Sequence, residues 1–225
     1  MTREGTNGSA SAVIFDLDGT LIATRALYLE CYRRALEPEL GRRPSDEELF
    51  RMKPRAELRF LPELAAEAEA CLEAFYRHYE SLHDTLFEGV YRGVPELLET
   101  LRMRDVPLGI VTGKSRRGLE ITAARVELGP FDAVVVDDDV AEPKPDPEGL
   151  RRALDALGAV PADAVYVGDT IGDMRAARAA GVRGGAVVWS KRAHERDTFI
   201  ERARAEAAVP LIEPADVIRL AASSG

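Results

Sequence analysis

Val13-Ile14-Phe15-Asp16-Leu17-Asp18-Gly19-Thr20 is the stretch on which the fold turns. An apolar, β-prone run stops at two carboxylates spaced i, i+2, and a glycine follows at once. Val13 to Phe15 reads as a buried strand. Gly19 lets the backbone turn where a Cβ would obstruct it. Asp16 therefore lies at the strand's carboxyl end, the edge at which open α/β sheets bind ligands.

Downstream, strand and helix signals alternate. Strands are expected at Val106–Val111, Ala133–Val136, Ala164–Val167 and Ala186–Trp189, with a short edge strand at Val209–Ile212. Helices are expected from Pro95 to about Arg104, Ser115 to Leu128, Glu148 to Leu157, Met174 to Ala180 (stopped by Gly181) and Pro214 to Ala222. Between Leu21 and Phe87 the periodicity is helical and no strand signal appears. Leu21–Pro38 shows a helical face, and Ser45 with Glu48 forms a capping box for a second helix. The α/β alternation implies a Rossmann-like parallel sheet covered on both faces. An all-helical insert follows its first strand. The expected division is a discontinuous α/β core, 1–22 and 88–225, and a helical cap, 23–87. The segments Leu21–Thr24 and Glu88–Gly93 are the expected hinges for cap closure.

Four strands finish in polar clusters: Asp16/Asp18, Thr112/Lys114, Asp137 to Lys144, and Asp169/Asp173. A parallel sheet brings those ends to one edge. The mixture suits a phosphate held beside a hard cation. Mg²⁺ prefers oxygen ligands; Asp16 and Asp169 supply carboxylates and Asp18 a backbone carbonyl. Lys144 neutralises phosphate and nucleophile together. Thr112 and the Gly113 N–H donate to phosphate oxygens. Asp16 can attack phosphorus to give an aspartyl-phosphate, with Asp18 as acid and then base.

These motifs resemble the haloacid-dehalogenase-like (HAD) phosphatase superfamily. Asp16-Leu17-Asp18-Gly19-Thr20 is similar to its first motif, Thr112 to its second, Lys144 to its third, and Asp169 with Asp173 to its acidic fourth. The order and spacing agree from residue 12 to about 190. The resemblance implies Asp16 as nucleophile and Asp18 as acid/base, and a C1-type helical cap. Gly168-Asp169-Thr170-Ile171-Gly172-Asp173-Met174 and Lys144-Pro145-Asp146-Pro147 look most like the phosphoglycolate-phosphatase-like branch. That branch often carries an acidic residue soon after Asp-Gly-Thr, where this chain has Leu21-Ile22-Ala23-Thr24. Asp18 argues against a haloacid dehalogenase. A β-phosphoglucomutase-like mutase, a pyrophosphatase and a nucleotidase share the motif set and stay open. Asp173 has three open readings, as a direct metal ligand, as a ligand through water or as the group that orients Lys144, and the indirect roles are favoured.

Composition narrows the partners. The chain has 225 residues and a formal net charge of −9. That balance argues against nucleic acid and anionic membranes and leaves a small phosphorylated metabolite as the expected partner, with a monomer or homodimer. No apolar run reaches membrane-spanning length. Met1–Ala10 has no apolar h-region, so a cytoplasmic protein is expected. Cys31 and Cys71 read as buried thiols. The other candidates have plainer readings. Asp137, Asp138 and Asp139 read as a solvated strand end, and Arg175 and Arg178 as a solvated helix face. Arg51, Lys53 and Arg55 read as a solvated basic knot around Pro54. His78, His83 and His194 read as ordinary structural residues. Lys114 reads equally as a substrate contact or a surface residue.

Overall fold

A computed structural model describes residues 10–52 and 56–222. Lys53 and Arg55 lie outside the described residues. Six strands form one parallel sheet: β1 (Ala12–Phe15), β2 (Leu108–Val111), β3 (Ala133–Val135), β4 (Ala164–Gly168), β5 (Arg183–Val187) and β6 (Val209–Leu211). Their order is β3-β2-β1-β4-β5-β6. The order reverses at β1, which pairs with β2 on one side and β4 on the other, so a crevice opens at its carboxyl end. Register levels the strand ends there: Phe15 stands opposite both Ile110 and Val167.

Strand alternation splits the core between two faces. Val13, Phe15, Ile110 and Val167 pack on one face with helices α5 (Val94–Met103) and α10 (Asp216–Ala222). Ile14, Val111 and Tyr166 pack on the other with α7 (Glu148–Leu157) and α8 (Ile171–Ala180). Helix α6 (Arg116–Ala123) follows β2, and α9 (Ala193–Ala205) joins β5 to β6.

Helices α1 (Arg25–Leu40), α2 (Asp46–Met52), α3 (Glu57–Leu64) and α4 (Ala68–Leu86) surround a separate apolar cluster that includes Leu27, Tyr32, Leu36, Phe60, Phe75 and Tyr79. The Tyr32 and Phe75 rings lie 4.9 Å apart and the Tyr28 and Tyr79 rings 5.3 Å apart. The chain enters and leaves this block through segments that bond to each other. The Ala23 N–H donates to the Gly89 carbonyl (2.9 Å) and the Tyr91 N–H to the Leu21 carbonyl (3.0 Å).

Several boundaries differ from the sequence expectation. Helix α1 starts at Arg25 rather than Leu21 because Leu21–Ala23 is engaged in that pairing. It runs through Pro38 and stops at Gly41, a left-handed cap (φ 64°). The Ser45–Glu48 capping box forms, with both reciprocal bonds present (2.9 and 3.2 Å). Strand β5 begins at Arg183, earlier than expected, because Gly184 and Gly185 carry no β signal. A Cβ on Gly185 would lie 2.7 Å from Leu211 Cδ1, so the leucine packs closely over the glycine. Helix α9 went unanticipated: it buries only Ala203 and shows no apolar stripe.

Gly19 adopts φ 82°, and a Cβ there would sit 2.6 Å from an Asp169 carboxylate oxygen. Gly19→Ala is therefore expected to cost about 1–3 kcal/mol from the left-handed backbone alone and to push Asp169 aside. Denaturant unfolding checks this: a midpoint equal to the parent's would refute it.

Candidate active site

The carboxyl ends of β1, β2 and β4 open into a cavity of about 1220 Å³ between the sheet edge and the helical block. Asp16, Asp18, Thr112, Gly113, Lys144, Asp169 and Asp173 all line it. Their convergence follows from the sheet. Asp16 comes directly after β1, Thr112 after β2 and Asp169 after β4, and all three strands run in the same direction.

Lys144 stands at the centre. Its ammonium lies 2.8 Å from Asp16 Oδ1 and 2.6 Å from Asp173 Oδ1, and it donates to the Tyr166 hydroxyl (2.9 Å). Tyr166 also donates to Asp173 Oδ1 (3.0 Å). Asp173 sits in the first turn of α8, where it reciprocates the cap of Thr170. Its Oδ2 accepts from the Thr170 N–H (2.8 Å) and hydroxyl (2.6 Å). Burial alone would raise the Asp173 carboxyl, but Lys144 and the Thr170 bonds override it and hold it below its ordinary value.

Carboxylate oxygens of Asp16, Asp169 and Asp173 lie within 4.8 Å of one another. Asp169 pairs with Lys191 (2.7 Å). Burial still raises Asp169 and lifts Asp16 to about 8, with Asp173 and Asp169 adding to the rise and Lys144 opposing it. Three crowded carboxylates face two ammonium groups. An oxygen-rich, cation-deficient cluster of this kind fits a hard divalent ion.

The Asp18 carboxylate points away from that cluster. Its Oδ1 accepts from Thr24 (2.7 Å) and its Oδ2 pairs with Lys114 (3.1 Å). Lys114 is fully buried and also donates to Tyr28 (2.7 Å) and Tyr79 (2.9 Å). Burial works against its charge, yet Asp18, helped by Tyr79 and Glu57, holds the ammonium above its ordinary value. The Thr112 side chain accepts from the Lys114 N–H (3.1 Å). Gly113 has no atom within 4 Å of where a Cβ would stand, so its backbone faces open space.

The structure corrects one of the plainer readings, that of Asp137, and leaves Asp138, Arg51, Arg175 and Arg178 exposed as expected. Asp137 is buried, not solvated: Arg59 of α3 grips its carboxylate (2.9 Å) and the Val140 carbonyl (2.9 Å), tying the helical block to the sheet edge. Asp138 accepts the Arg116 N–H, and Asp139 pairs with the Arg116 side chain. Arg175 and Arg178 both pair with Glu206, which follows the last residue of α9. Arg51 pairs with Glu47 within α2. His83 packs between the Tyr79 and Phe87 rings.

The haloacid dehalogenase-like hydrolase sequence model matches residues 13–187. The chain belongs to that family. A pyrophosphatase, PpaX, from Bacillus velezensis is 33% identical to this hydrolase over 205 residues, 88% of this chain and 94% of the relative. A Lactobacillus plantarum structure assigned as a phosphoglycolate phosphatase superposes with a TM-score of 0.77 at 27% identity, covering 94% of the hydrolase and 99% of that chain. A Thermotoga maritima structure assigned as a β-phosphoglucomutase gives 0.72 at 28%, covering 93% and 97%. Among the described residues, no helix of the hydrolase is long and apolar enough to cross a membrane.

Sequence reasoning passed over Lys191, Tyr166, Arg59 and Glu57, and left Lys114 undecided. One signal was available: the hydrolase has four lysines, and Lys114, Lys144 and Lys191 all line this cavity. The fourth is Lys53. In an arginine-rich chain, a lysine marks a place where a compact point charge is wanted. Tyr166 gave no such signal, because a tyrosine in mid-strand reads as core.

Proposed function

We propose that this HAD-like phosphatase hydrolyses a small, phosphoglycolate-like phosphomonoester with Mg²⁺, through an aspartyl-phosphate on Asp16. The observation that carries the reading is the Lys144 ammonium held between Asp16 and Asp173, beside the cluster of Asp16, Asp169 and Asp173. In this reading the carboxylates of Asp16 and Asp169 and the Asp18 carbonyl hold Mg²⁺, which when bound supplies positive charge against the phosphoryl oxygens. Asp173 acts indirectly, by fixing Lys144.

Asp16 attacks phosphorus, and the P–O bond to the leaving group breaks in line. Lys144, the Thr112 hydroxyl and the Gly113 N–H take up the charge on the transferring group. Asp18 gives its proton to the departing oxygen, then removes one from the water that cleaves the aspartyl-phosphate. Residues 23–87 serve as the cap and 1–22 with 88–225 as the core. Closure of the cap excludes water from the phosphoryl group.

A second reading, with pyrophosphate as substrate, is favoured by the name of the curated relative at 33% identity. A panel of phosphoglycolate, pyrophosphate, nucleoside monophosphates and β-glucose 1-phosphate, with Mg²⁺ and product analysis, tests both. Free phosphate from phosphoglycolate is the expected result. Isomerised sugar phosphate without free phosphate would point to a mutase, and a blank panel would refute the phosphatase reading. Chelation with EDTA is expected to lower phosphate release at least 100-fold and added Mg²⁺ to restore it. Full turnover in the chelator would remove the metal from the scheme.

A further inference from the structure

Lys114 is the most deeply enclosed cation lining the cavity, and the proposed chemistry gives it no task. Its ammonium pairs with Asp18 Oδ2 at 3.1 Å and donates to Tyr28 Oη at 2.7 Å and Tyr79 Oη at 2.9 Å. The ammonium also lies over both tyrosine rings, 4.4 and 4.7 Å from their centroids. A fully desolvated ammonium is costly unless every proton is satisfied and a counter-charge is near. Here the compensation comes from separate parts of the chain. Asp18 belongs to the loop after β1, Tyr28 to α1 and Tyr79 to α4. The lysine itself is anchored on the sheet side. Its N–H donates to Thr112 Oγ1 (3.1 Å), and its carbonyl accepts from the Asp137 N–H (3.0 Å).

Two of the three acceptors therefore travel with the helical block, while lysine and aspartate stay with the sheet. If the block lifts, Lys114 loses both tyrosines and water reaches the ammonium. The Asp18 carboxylate then keeps only a hydrated partner and the Thr24 hydroxyl, which lies in the linking segment.

We propose that Lys114 is a positioning residue: it aims the Asp18 carboxylate for proton transfer only while Tyr28 and Tyr79 close its aromatic cage, so that seating of the helical block switches on acid catalysis. This rests on the reading of Asp18 as the acid/base. The device explains why a lysine follows Thr112-Gly113 rather than a neutral residue. It also explains why the block's aromatic cluster turns two hydroxyls toward the sheet edge.

The test uses phenyl, 4-nitrophenyl and 2,4-dinitrophenyl phosphates, in which the leaving group needs progressively less protonation. General acid catalysis is worth roughly 10²–10⁴-fold. Lys114→Met is accordingly expected to lower kcat/KM about 100-fold for phenyl phosphate and less than about 3-fold for the dinitrophenyl ester, tracking Asp18→Asn across the series. The double variant Tyr28→Phe/Tyr79→Phe leaves lysine and aspartate in place and keeps both rings. It is expected to show the same leaving-group slope at about 10-fold, and it carries the test if Lys114→Met does not fold. An equal loss across the three esters in the lysine variant, or in the tyrosine variant should that one stand alone, would overturn the proposal. If Asp18→Asn itself shows no leaving-group dependence, the acid/base reading fails instead, and the two failures are told apart.

Discussion

Replacing Asp16 by asparagine is expected to lower kcat by about 10⁴-fold or more while the protein stays folded. Asparagine keeps the shape of the side chain but lacks the anionic oxygen that attacks phosphorus, and loss of a covalent nucleophile removes the whole two-step route. The surroundings survive the change. Lys144 retains Asp173 at 2.6 Å and Tyr166 at 2.9 Å, so it is not left as an isolated buried charge. Burial already disfavours the Asp16 carboxylate, lifting it to about 8, so a neutral amide at this place costs the fold little. Thermal unfolding within a few degrees of the parent, with phosphate release near background, is the expected pair of results. Activity within tenfold of the parent would refute Asp16 as nucleophile; a collapse of stability would show that its carboxylate is structural.

Lys144→Met gives the second large effect, and it differs in kind. Removing this ammonium takes away the lysine held between Asp16 and Asp173 and leaves two buried carboxylates facing each other. Stripping one partner from a buried charge cluster typically costs about 3–5 kcal/mol. For a chain of this size that is a fall in Tm of about 10 °C. Turnover is expected to drop about 10³-fold as well, because the transferring phosphoryl group loses a fixed positive charge. The distinguishing observation is metal rescue. Mg²⁺ should stabilise Lys144→Met more than it stabilises the parent, since Asp16 and Asp173 have then lost the ammonium they share. Calorimetric scans with and without Mg²⁺ read this directly. An unchanged Tm, or equal stabilisation of the two proteins, would show that Lys144 does not balance the cluster.

Strand ends and punctuation were readable because their causes are local. Val13-Ile14-Phe15 suits only a buried strand, and Gly19, Gly41 and Gly181 stand where a left-handed backbone is needed. The motif residues Asp16, Thr112, Lys144 and Asp169 could be assembled in one cavity from sequence because a parallel sheet leaves their strand ends no other edge to share. Helix α9 and the start of β5 were missed for equally local reasons. The first lacks an apolar stripe, and the second opens on two glycines, one packed closely against Met174 of α8 and Ala208 and the other against Leu211 of β6.

The contacts of Lys114, Lys191, Arg59 and Tyr166 belong to a different class. Each joins segments tens of residues apart, and a side chain's partner across such a distance leaves no trace in its own neighbourhood. The chain's order of apolar runs, carboxylates and glycines was enough for the parallel α/β sheet and the edge where its chemistry gathers, because backbone conformation and strand direction follow from short-range sterics and burial. Only tertiary packing decided that Asp18 turns from the carboxylate cluster to a buried lysine, that two tyrosines of the helical block enclose that lysine, and that Asp137 is gripped by an arginine. Those choices depend on which desolvated charges find compensation once the helices meet the sheet.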